Sequence, residues 1–280
     1  MPAVKFDNVT LRFGDVLALN DISFSVAEGE FVSLLGPSGC GKTTLLNIVG
    51  DLLQPSDGRV EIGGASPSAM SLRRQIGYVF QRDTLLKHLS ALDNVRLPMD
   101  IAGVPRSEAA GKARAALKLV GLEGREGALP HHLSGGMRQR VAIARVFASD
   151  YSLLLMDEPF ASLDAFNKLV MAEELLRIWQ ETGKRITVIF VTHDWMEAAF
   201  LSDRVIFLSG SPGRVKAEIR IPFARPRAPG LRFSPEFVGV SNQLYDLYHQ
   251  SEEVGCGGKT ALRGSAVPVP APVAGDRASV

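Results

Sequence analysis

The sequence has no hydrophobic run long enough to cross a membrane. Its longest uninterrupted aliphatic or aromatic runs, such as Leu153–Met156 and Val188–Val191, cover four residues, whereas a transmembrane helix needs about 18 or more. The first residues also lack the apolar core of a secretory signal peptide. We therefore expect a protein that stays in the cytosol and does not span a bilayer by itself.

The sequence is also poor in cysteine and in net charge. Its 280 residues include two cysteines, Cys40 and Cys256, and 31 basic against 30 acidic side chains, which gives a net charge of +1. Two cysteines in a cytosolic chain are expected to be free thiols. A nearly neutral chain gives no reason to expect nucleic acid as a partner. The 46% apolar and 22% charged residues predict an ordinary globular protein.

The stretch Gly36-Pro37-Ser38-Gly39-Cys40-Gly41-Lys42-Thr43-Thr44, called the phosphate loop below, fits the pattern G-x-x-x-x-G-K-[ST]. A β-rich run at 31–35 precedes it and an apolar helical run at 45–49 follows it. In this motif, backbone N–H groups and the helix N-terminus surround phosphate oxygens. Lys42 is expected to reach the outer phosphates, and the Thr43 hydroxyl is expected to bind Mg²⁺. The loop therefore predicts a site for a nucleoside triphosphate.

Before the phosphate loop, residues 4–26 alternate apolar and polar side chains in two runs joined around Gly14 and Asp15. This alternation predicts a β-hairpin. Phe13 lies at the turn and has no place in the alternation. Two interpretations of Phe13 are open: it is a platform on which a purine ring stacks, or it packs within the turn.

Four polar side chains follow three apolar runs that we interpret as strands: Gln81 after 76–80, Asp157 and Glu158 after 152–156, and His193 after 186–192. In an open parallel sheet, ligands bind beyond the carboxyl ends of the strands. Asp157 and Glu158 point to opposite sides of their strand, so one is expected to hold Mg²⁺ and the other to orient or deprotonate the attacking water. His193 is a candidate to bind the γ-phosphate or that water. Taken alone, Gln81 also fits an ordinary surface position, Asp157 and Glu158 fit a solvated loop, and His193 fits a structural histidine.

Residues 84–128 are rich in Ala, Leu and Arg with helical spacing and predict a mostly helical insertion. After this insertion, Leu133-Ser134-Gly135-Gly136 precedes a basic helix with Ser134 as its expected N-cap. Ser-Gly-Gly at a helix start offers a hydroxyl and bare amides, which predicts a second anion receptor. The alternative is that these residues form only a cap and a turn.

With these motifs in place, residues 2–220 resemble the ATP-binding cassette (ABC) superfamily. The resemblance depends most on Leu133–Gly136, which is similar to the signature sequence of the superfamily and lies between the phosphate loop and the strand at 152–156. Residue 137 is Met, where the signature often continues with Gln. The stretches 192–205 and 211–215 look like the nitrate, sulfonate and taurine importer branch.

For the fold, the resemblance implies an α/β protein. Its RecA-like phosphate-loop core has a mainly parallel sheet, with an N-terminal antiparallel β subdomain and a helical subdomain inserted at about 84–150. The nucleotide-binding domain is expected to cover 2–235. A C-terminal extension is expected at 236–280, with a short helix at 244–249 and a flexible end rich in Pro, Ala and Gly.

For chemistry, the resemblance implies an Mg²⁺-dependent ATPase with Glu158 as the catalytic carboxylate and His193 as the switch histidine. The D-loop is expected at Ser162-Leu163-Asp164. The expected metal ligands are Thr43, Gln81 and Asp157. The expected ATP-binding residues are Phe13, Gly36, Pro37, Ser38, Gly39, Cys40, Gly41, Lys42, Thr43, Thr44, Gln81, Ser134, Gly135 and Gly136.

For partners, the resemblance implies a head-to-tail dimer with two ATP molecules between the copies, in which Ser134 of one copy closes over ATP held by the other. The helical insertion and Gln81 are expected to transmit closure to separate membrane-spanning permease subunits at the cytoplasmic face of the membrane. A solute-binding protein is expected as an indirect partner, and the solute is expected to be a small anionic nutrient.

Three other functions are open for a chain with these motifs. An importer of another small solute would have the same motifs. A non-transport ABC protein predicts paired cassettes, a coiled-coil insertion or a basic groove, and the sequence contains none of these. A kinase with the same phosphate loop would leave Leu133–Gly136 unexplained.

Overall fold

The computed structural model describes residues 2–69, 75–81, 84–181 and 185–255 of the chain. Cys256 and the end of the chain that we expect to be a flexible tail lie outside these ranges. The predictions about them are therefore not addressed by the structure.

The predicted N-terminal hairpin forms and belongs to an antiparallel sheet of its own. Strands β1 (Pro2–Phe13) and β2 (Val16–Ala27) pair on either side of a two-residue turn. A later strand, β4 (Asp57–Ile62), pairs antiparallel with β1 on its other side. Phe13 is the last residue of β1, so the hairpin carries it to the end of this sheet.

A second sheet of six strands forms the centre of the structure in the order β5-β6-β7-β3-β8-β9. All neighbouring pairs are parallel except β8 and β9, which are antiparallel. The strands β3, β6 and β7 are buried at every position, as expected for strands covered on both faces. The bounds are β3 (Phe31–Leu35), β5 (Ile76–Val79), β6 (Leu153–Asp157), β7 (Thr187–Thr192), β8 (Arg204–Ser209) and β9 (Arg214–Arg220).

The central sheet separates two hydrophobic cores. Phe31 and Leu35 of β3 pack into the core formed with most of the helices. Val32 and Leu34 pack into the core formed with the N-terminal sheet and the first helix. Successive side chains of a strand point to opposite faces, so β3 belongs to both cores. Because β3 leads directly into the phosphate loop, that loop starts from one of the most firmly packed strands.

Seven α-helices are seen in the described ranges, and three of them form the predicted insertion between β5 and β6. None of the helices in these ranges is long and apolar enough to cross a membrane. This arrangement confirms the predicted α/β fold with a mainly parallel sheet, an antiparallel N-terminal sheet and a helical insertion. The bounds are α1 (Lys42–Val49), α2 (Ala91–Ile101), α3 (Arg106–Leu119), α4 (Gly135–Phe147), α5 (Ala165–Glu181), α6 (Trp195–Leu201) and α7 (Pro235–Gly255).

The last helix, α7, is longer than the sequence predicts. The predicted segment 244–249 covers only its middle, whereas the helix extends over 21 residues. Leu244 is buried in the main core, and the Tyr245 ring lies 5.0 Å from the Trp195 ring of α6. These contacts, rather than local sequence, account for the extra turns, because tertiary packing supplies most helix stability. The domain boundary predicted before residue 236 stays a prediction.

Candidate nucleotide-binding site

The phosphate loop presents backbone donors that have no partner among the described residues. Gly41 is the N-cap of α1 and provides no side-chain hydrogen bond, so the amides of Lys42, Thr43 and Thr44 have no intrahelical acceptor. The first turn of α1 also contains no acidic side chain. Gly39 and Gly41 have φ angles of +79° and +92°, which glycine adopts without steric cost. The loop therefore has the free amides and the positive helix end that an anion such as triphosphate requires.

Lys42 is folded into the phosphate loop. Its Nζ atom donates hydrogen bonds to the carbonyl oxygens of Gly36 at 2.6 Å and Pro37 at 2.8 Å. The Sγ atom of Cys40 lies 3.8 Å from the same Nζ. Burial raises the pKa of the Cys40 thiol, although the positive charge of Lys42 opposes the increase. The structure thus places one positive charge in the curve of the loop beside a free, protonated thiol.

Thr43 and Asp157 form a pair of oxygen ligands at the carboxyl end of β6. The Oγ1 atom of Thr43 donates to Oδ1 of Asp157 at 3.0 Å. Burial raises the pKa of Asp157, and the hydrogen bond from Thr43 opposes this increase. A hydroxyl and a carboxylate are the hard oxygen ligands that Mg²⁺ prefers, and a bound dication would favour the ionised carboxylate. The chemistry of this pair therefore fits Mg²⁺.

Glu158 is held by two polar side chains, and these three residues are called the Glu158 cluster. Nδ1 of His193 and Nε2 of Gln81 each lie 3.2 Å from Oε2 of Glu158. Glu158 has a φ angle of +43°, and its amide donates to the carbonyl of Val191 at 3.0 Å. The chain therefore turns directly after β6, so Asp157 and Glu158 have different neighbours. In this structure the side-chain amide of Gln81 donates to Glu158. The role of Gln81 as a metal ligand stays a prediction.

The hydrogen bond between Glu158 and His193 changes the titration of both groups. It lowers the pKa of Glu158 and raises the pKa of His193, and burial opposes both shifts. The carboxylate of Glu158 is consequently ionised at neutral pH. An ionised carboxylate can accept a proton from a bound water, which is what a general base requires.

A pocket of about 440 Å³, called the phosphate pocket, brings most of the predicted residues together. Phe13 lies at this pocket with 51% of its surface exposed, so its ring is accessible to a planar ligand. Ala18 of β2 lines the same pocket. The pocket thus combines an aromatic ring, backbone donors, a cation and a carboxylate. The predicted residues that line it are Phe13, Ser38, Gly39, Gly41, Lys42, Thr43, Thr44, Gln81 and Glu158.

A second pocket of about 620 Å³, called the Ser134 pocket, lies at the start of α4. The Oγ atom of Ser134 accepts a hydrogen bond from the Met137 amide at 3.2 Å, which makes Ser134 the predicted N-cap. Gly135 and Gly136 line this pocket together with the expected D-loop at 162–164. The Ser134 pocket and the phosphate pocket have no lining residue in common. Within one chain, the structure does not bring Ser134 and the phosphate loop together.

Residues 19–161 match a family model described as ABC transporter. This span contains the phosphate loop, Gln81, the Ser134 signature, Asp157 and Glu158. The chain belongs to the ABC transporter family. Within that family it is an ATPase, and the nucleotide that it binds is ATP.

Individual ABC proteins are similar to almost the whole chain. An uncharacterized ABC transporter ATP-binding protein of Methanocaldococcus jannaschii is 44% identical over 248 residues, which is 87% of this chain and 90% of that protein. The taurine import ATP-binding protein TauB of Rhizobium johnstonii is 43% identical over 249 residues, which is 87% of this chain and 94% of that protein. These similarities confirm the predicted resemblance to the nitrate, sulfonate and taurine branch.

A solved ABC cassette has the same fold. The ATP-binding cassette MJ0796, in a dimeric post-hydrolysis state bound to ADP and Pi, superposes with a TM-score of 0.69 at 36% identity. The similarity covers 79% of this chain and all of that one. The predicted fold class is thereby confirmed on an experimental structure.

Sequence reasoning missed the residues that support His193 in this ABC site. Asp194 caps α6 by accepting hydrogen bonds from the amides of Met196 and Glu197. Glu197 is buried, and its Oε2 accepts from the Thr192 hydroxyl at 2.7 Å. Asp194 followed three residues later by Glu197 is a capping signature, and this signal was enough to predict where α6 begins. The helix therefore begins at Trp195, two residues after His193, with Asp194 as its N-cap.

We expect Glu158 to titrate at a pKa below its ordinary value and His193 to titrate at a pKa above its ordinary value. The ion pair exists above the lowered pKa of Glu158 and below the raised pKa of His193. The contribution of the ion pair to the free energy of unfolding is therefore lost as pH rises through the His193 pKa. It is also lost as pH falls through the Glu158 pKa. An NMR titration of the His193 ring should show its pKa falling toward the ordinary value in Glu158→Gln.

The control for this titration is Glu123→Gln, which removes an exposed carboxylate paired only with Lys118 among the contacts described. It should leave the His193 titration unchanged. An unchanged His193 pKa in Glu158→Gln would contradict the pairing seen in the structure.

Proposed function

We propose that this chain is the ATP-hydrolysing subunit of an importer for a small anionic nutrient of the nitrate, sulfonate or taurine type. The observation that carries this proposal is the 43% identity to a taurine import ATP-binding protein, which extends over 94% of that protein. The chain has both the phosphate loop and the signature segment of an energising subunit. The solute itself is expected to pass through separate permease subunits.

ATP is proposed to lie along the phosphate pocket with its base against Phe13 and its phosphates on the loop. The free amides of α1 and the Nζ of Lys42 would bind the phosphate oxygens. For this, Lys42 exchanges its hydrogen bonds with the carbonyls of Gly36 and Pro37 for bonds to phosphate. Catalysis then depends on positioning and on charge placed before the reaction begins.

The metal ligands proposed are Thr43 and Asp157, with Gln81 completing the set. When bound, Mg²⁺ neutralises charge on the outer phosphate oxygens. The Glu158 carboxylate accepts a proton from the attacking water, since it is ionised and lies beside the metal pair along the chain. His193 holds Glu158 through Nδ1 and keeps its carboxylate oriented. Gln81 contacts the same carboxylate oxygen, so its position responds to the state of the site.

The Ser134 pocket supports a dimer as the active form. In one chain, the phosphates have donors from the phosphate loop, whereas the donors at Ser134 are not part of that pocket. A head-to-tail dimer places Ser134 of one copy over the ATP of the other, so each of two sites is complete only when both copies are present. The similar cassette solved as a dimer supports this assembly.

The subunit is proposed to act at the cytoplasmic face of the cell membrane, attached through permease subunits and served indirectly by a solute-binding protein. The dimer closes when ATP binds and opens after hydrolysis. Nucleotide switches transmit work by alternating between two such conformations. The nearly neutral charge of +1 supports protein rather than nucleic acid as the partner.

Uptake measurements test the proposal. In cells of the source organism that lack this gene, uptake of labelled taurine, an alkanesulfonate or nitrate should fall. It should be restored by the wild-type gene and by Glu123→Gln, but not by Glu158→Gln. If uptake of all three is unchanged but uptake of another solute is lost, the chain belongs to an importer of that other solute. If uptake of every solute tested is unchanged, the chain is a non-transport ATPase.

A further inference from the structure

The turn between β8 and β9 lies against the back of the phosphate loop, although it is far from it in sequence. Gly213 of this turn is buried, and a Cβ atom added to it would lie 2.1 Å from the carbonyl oxygen of Cys40. At the start of the loop, a Cβ atom on Gly36 would lie 2.3 Å from the carbonyl oxygen of Leu208 in β8. The β8–β9 hairpin thus contacts the loop at its first residue and at its middle.

The same turn is bonded to the sheet that carries Phe13. The amide of Gly213 donates to the carbonyl of Ala18 at 2.9 Å, and the amide of Asn20 donates to the carbonyl of Gly213 at 3.0 Å. These two bonds join the turn to β2 as a short parallel bridge. Ala18 also lines the phosphate pocket. The turn therefore contacts the sheet at the edge of the nucleotide site.

Leu19 fills the junction between these elements. It is fully buried, and its Cδ2 atom would lie 2.4 Å from a Cβ on Gly41 and 3.2 Å from a Cβ on Gly213. The phosphate loop, the turn and β2 consequently meet without room for one more methyl group. Close-packed interiors transmit such displacements rather than absorb them.

We propose that Gly213 is a positioning residue that sets the distance between the phosphate loop and the base-stacking sheet, and so the fit of the whole nucleotide. The proposal rests on the proposed function, since it takes Phe13 as the base platform. Two halves of ATP are bound by two separate sheets, the phosphates by the loop after β3 and the base by the hairpin β1–β2. A rigid spacer between them lets both halves bind at once, as linked sites require.

Replacing Gly213 with alanine tests the spacer directly. The φ angle of Gly213 is outside the left-handed region, so a positive φ does not strain alanine there, and the main perturbation is the added Cβ. Because real Cβ atoms essentially never lie within 3.0 Å of another atom, the turn and the loop must separate by about 1 Å, a displacement that elsewhere costs up to about a hundredfold in rate. The expected result is an ATP affinity weakened at least about tenfold.

The decisive readout is the comparison of Mg²⁺–ATP with Mg²⁺–tripolyphosphate, a probe that has no base. Both affinities are measured on the purified full chain by competition with a fluorescent ATP analogue. If Gly213 sets the distance between the two halves, Gly213→Ala weakens ATP binding and leaves tripolyphosphate binding within about threefold, since only ATP must reach both halves. Equal loss of both ligands, or loss of neither, would overturn the proposal.

The matched control is Gly230→Ala. Gly230 is exposed, its φ angle is outside the left-handed region, and a Cβ there meets nothing within 4 Å. Both affinities should remain at the wild-type value. If Gly213→Ala fails to fold, as judged by its thermal unfolding, Leu19→Val loosens the same junction without adding an atom, and the same selective loss of ATP binding is expected.

Phe13→Ala separates the spacer from the function on which it rests. It should weaken ATP binding and leave tripolyphosphate binding unchanged. Unchanged ATP binding in Phe13→Ala would overturn the base-stacking assignment. If Phe13→Ala behaves as expected but Gly213→Ala and Leu19→Val show no selective loss of ATP binding, only the spacer is overturned.

Discussion

Glu158→Gln should lower ATP turnover by at least about a hundredfold, the lower range for loss of a general base, while ATP still binds. Glutamine has the size of glutamate and keeps an oxygen that can accept the hydrogen bond from His193. Its amide cannot take a proton from water. Since the hydrogen bond to His193 keeps the Glu158 pKa low, the wild-type group is ionised and ready at neutral pH. The mutation therefore removes one chemical ability and little packing.

The experiment compares ATP turnover and ATP affinity in the same preparation of the assembled transporter. Glu123→Gln provides the control for the substitution itself, because exposed ion pairs contribute little. It should turn over ATP at the wild-type rate. Near-normal turnover by Glu158→Gln would remove Glu158 from its role and would direct attention to His193 as the base.

The position of the proposed catalytic residues at one edge of the sheet was predictable, because two simple rules determine it. A buried apolar strand implies a central position in a parallel sheet, and the carboxyl ends of parallel strands lie at one edge. These rules alone place Asp157 and His193 near a phosphate loop that itself follows a strand. The contact between Thr43 and Asp157 at 3.0 Å is what they lead one to expect.

The order of strands and the support of the phosphate loop were not predictable in the same way. Strand order depends on which helices cover which face, and nothing in the residues 186–192 says that β7 lies between β6 and β3. The contact of Gly213 with Cys40 joins parts of the chain that no local pattern relates. Glycine and proline at 210–213 are typical of a turn, but a turn pattern does not indicate what the turn packs against.

The two helical regions predicted at 84–128 and 244–249 also differ in how far local sequence determines them. Residues 107–121 show their own helical spacing, and the structure has α3 there. In contrast, most of α7 has no such pattern, and its order depends on α6, which it contacts through Trp195 and Tyr245. A single sequence shows periodicity but does not show the neighbouring surface.

Ser134→Arg should lower ATP turnover by about a hundredfold or more, as loss of a donor to developing charge does elsewhere, without weakening ATP binding to a single chain. Ser134 belongs to a pocket that shares no lining residue with the phosphate pocket, so the first binding event does not involve it. An arginine at this position fills the space into which the second copy must bring its ATP. The effect is therefore expected only where two copies meet.

Two further variants separate this effect from loss of the helix cap. Ser134→Ala removes the hydrogen bond from the Met137 amide and should cost about 1 kcal/mol of stability with a smaller loss of turnover. Ser107→Arg adds the same bulk and charge at another exposed position and should have wild-type turnover. Near-normal turnover by Ser134→Arg would contradict the dimer with ATP between the copies.

Mixing two inactive variants decides whether the site is shared between copies. Lys42→Ala lacks the lysine proposed to bind phosphate but keeps Ser134, and Ser134→Arg keeps the whole phosphate loop. In a mixed dimer, the intact loop of one copy faces the intact Ser134 of the other, so one complete site forms. Activity that returns on mixing, and is absent from either variant alone, requires that each phosphate loop is half of a site. If Lys42 and Ser134 acted within one chain, no mixed dimer would contain a complete site, and mixing would restore nothing.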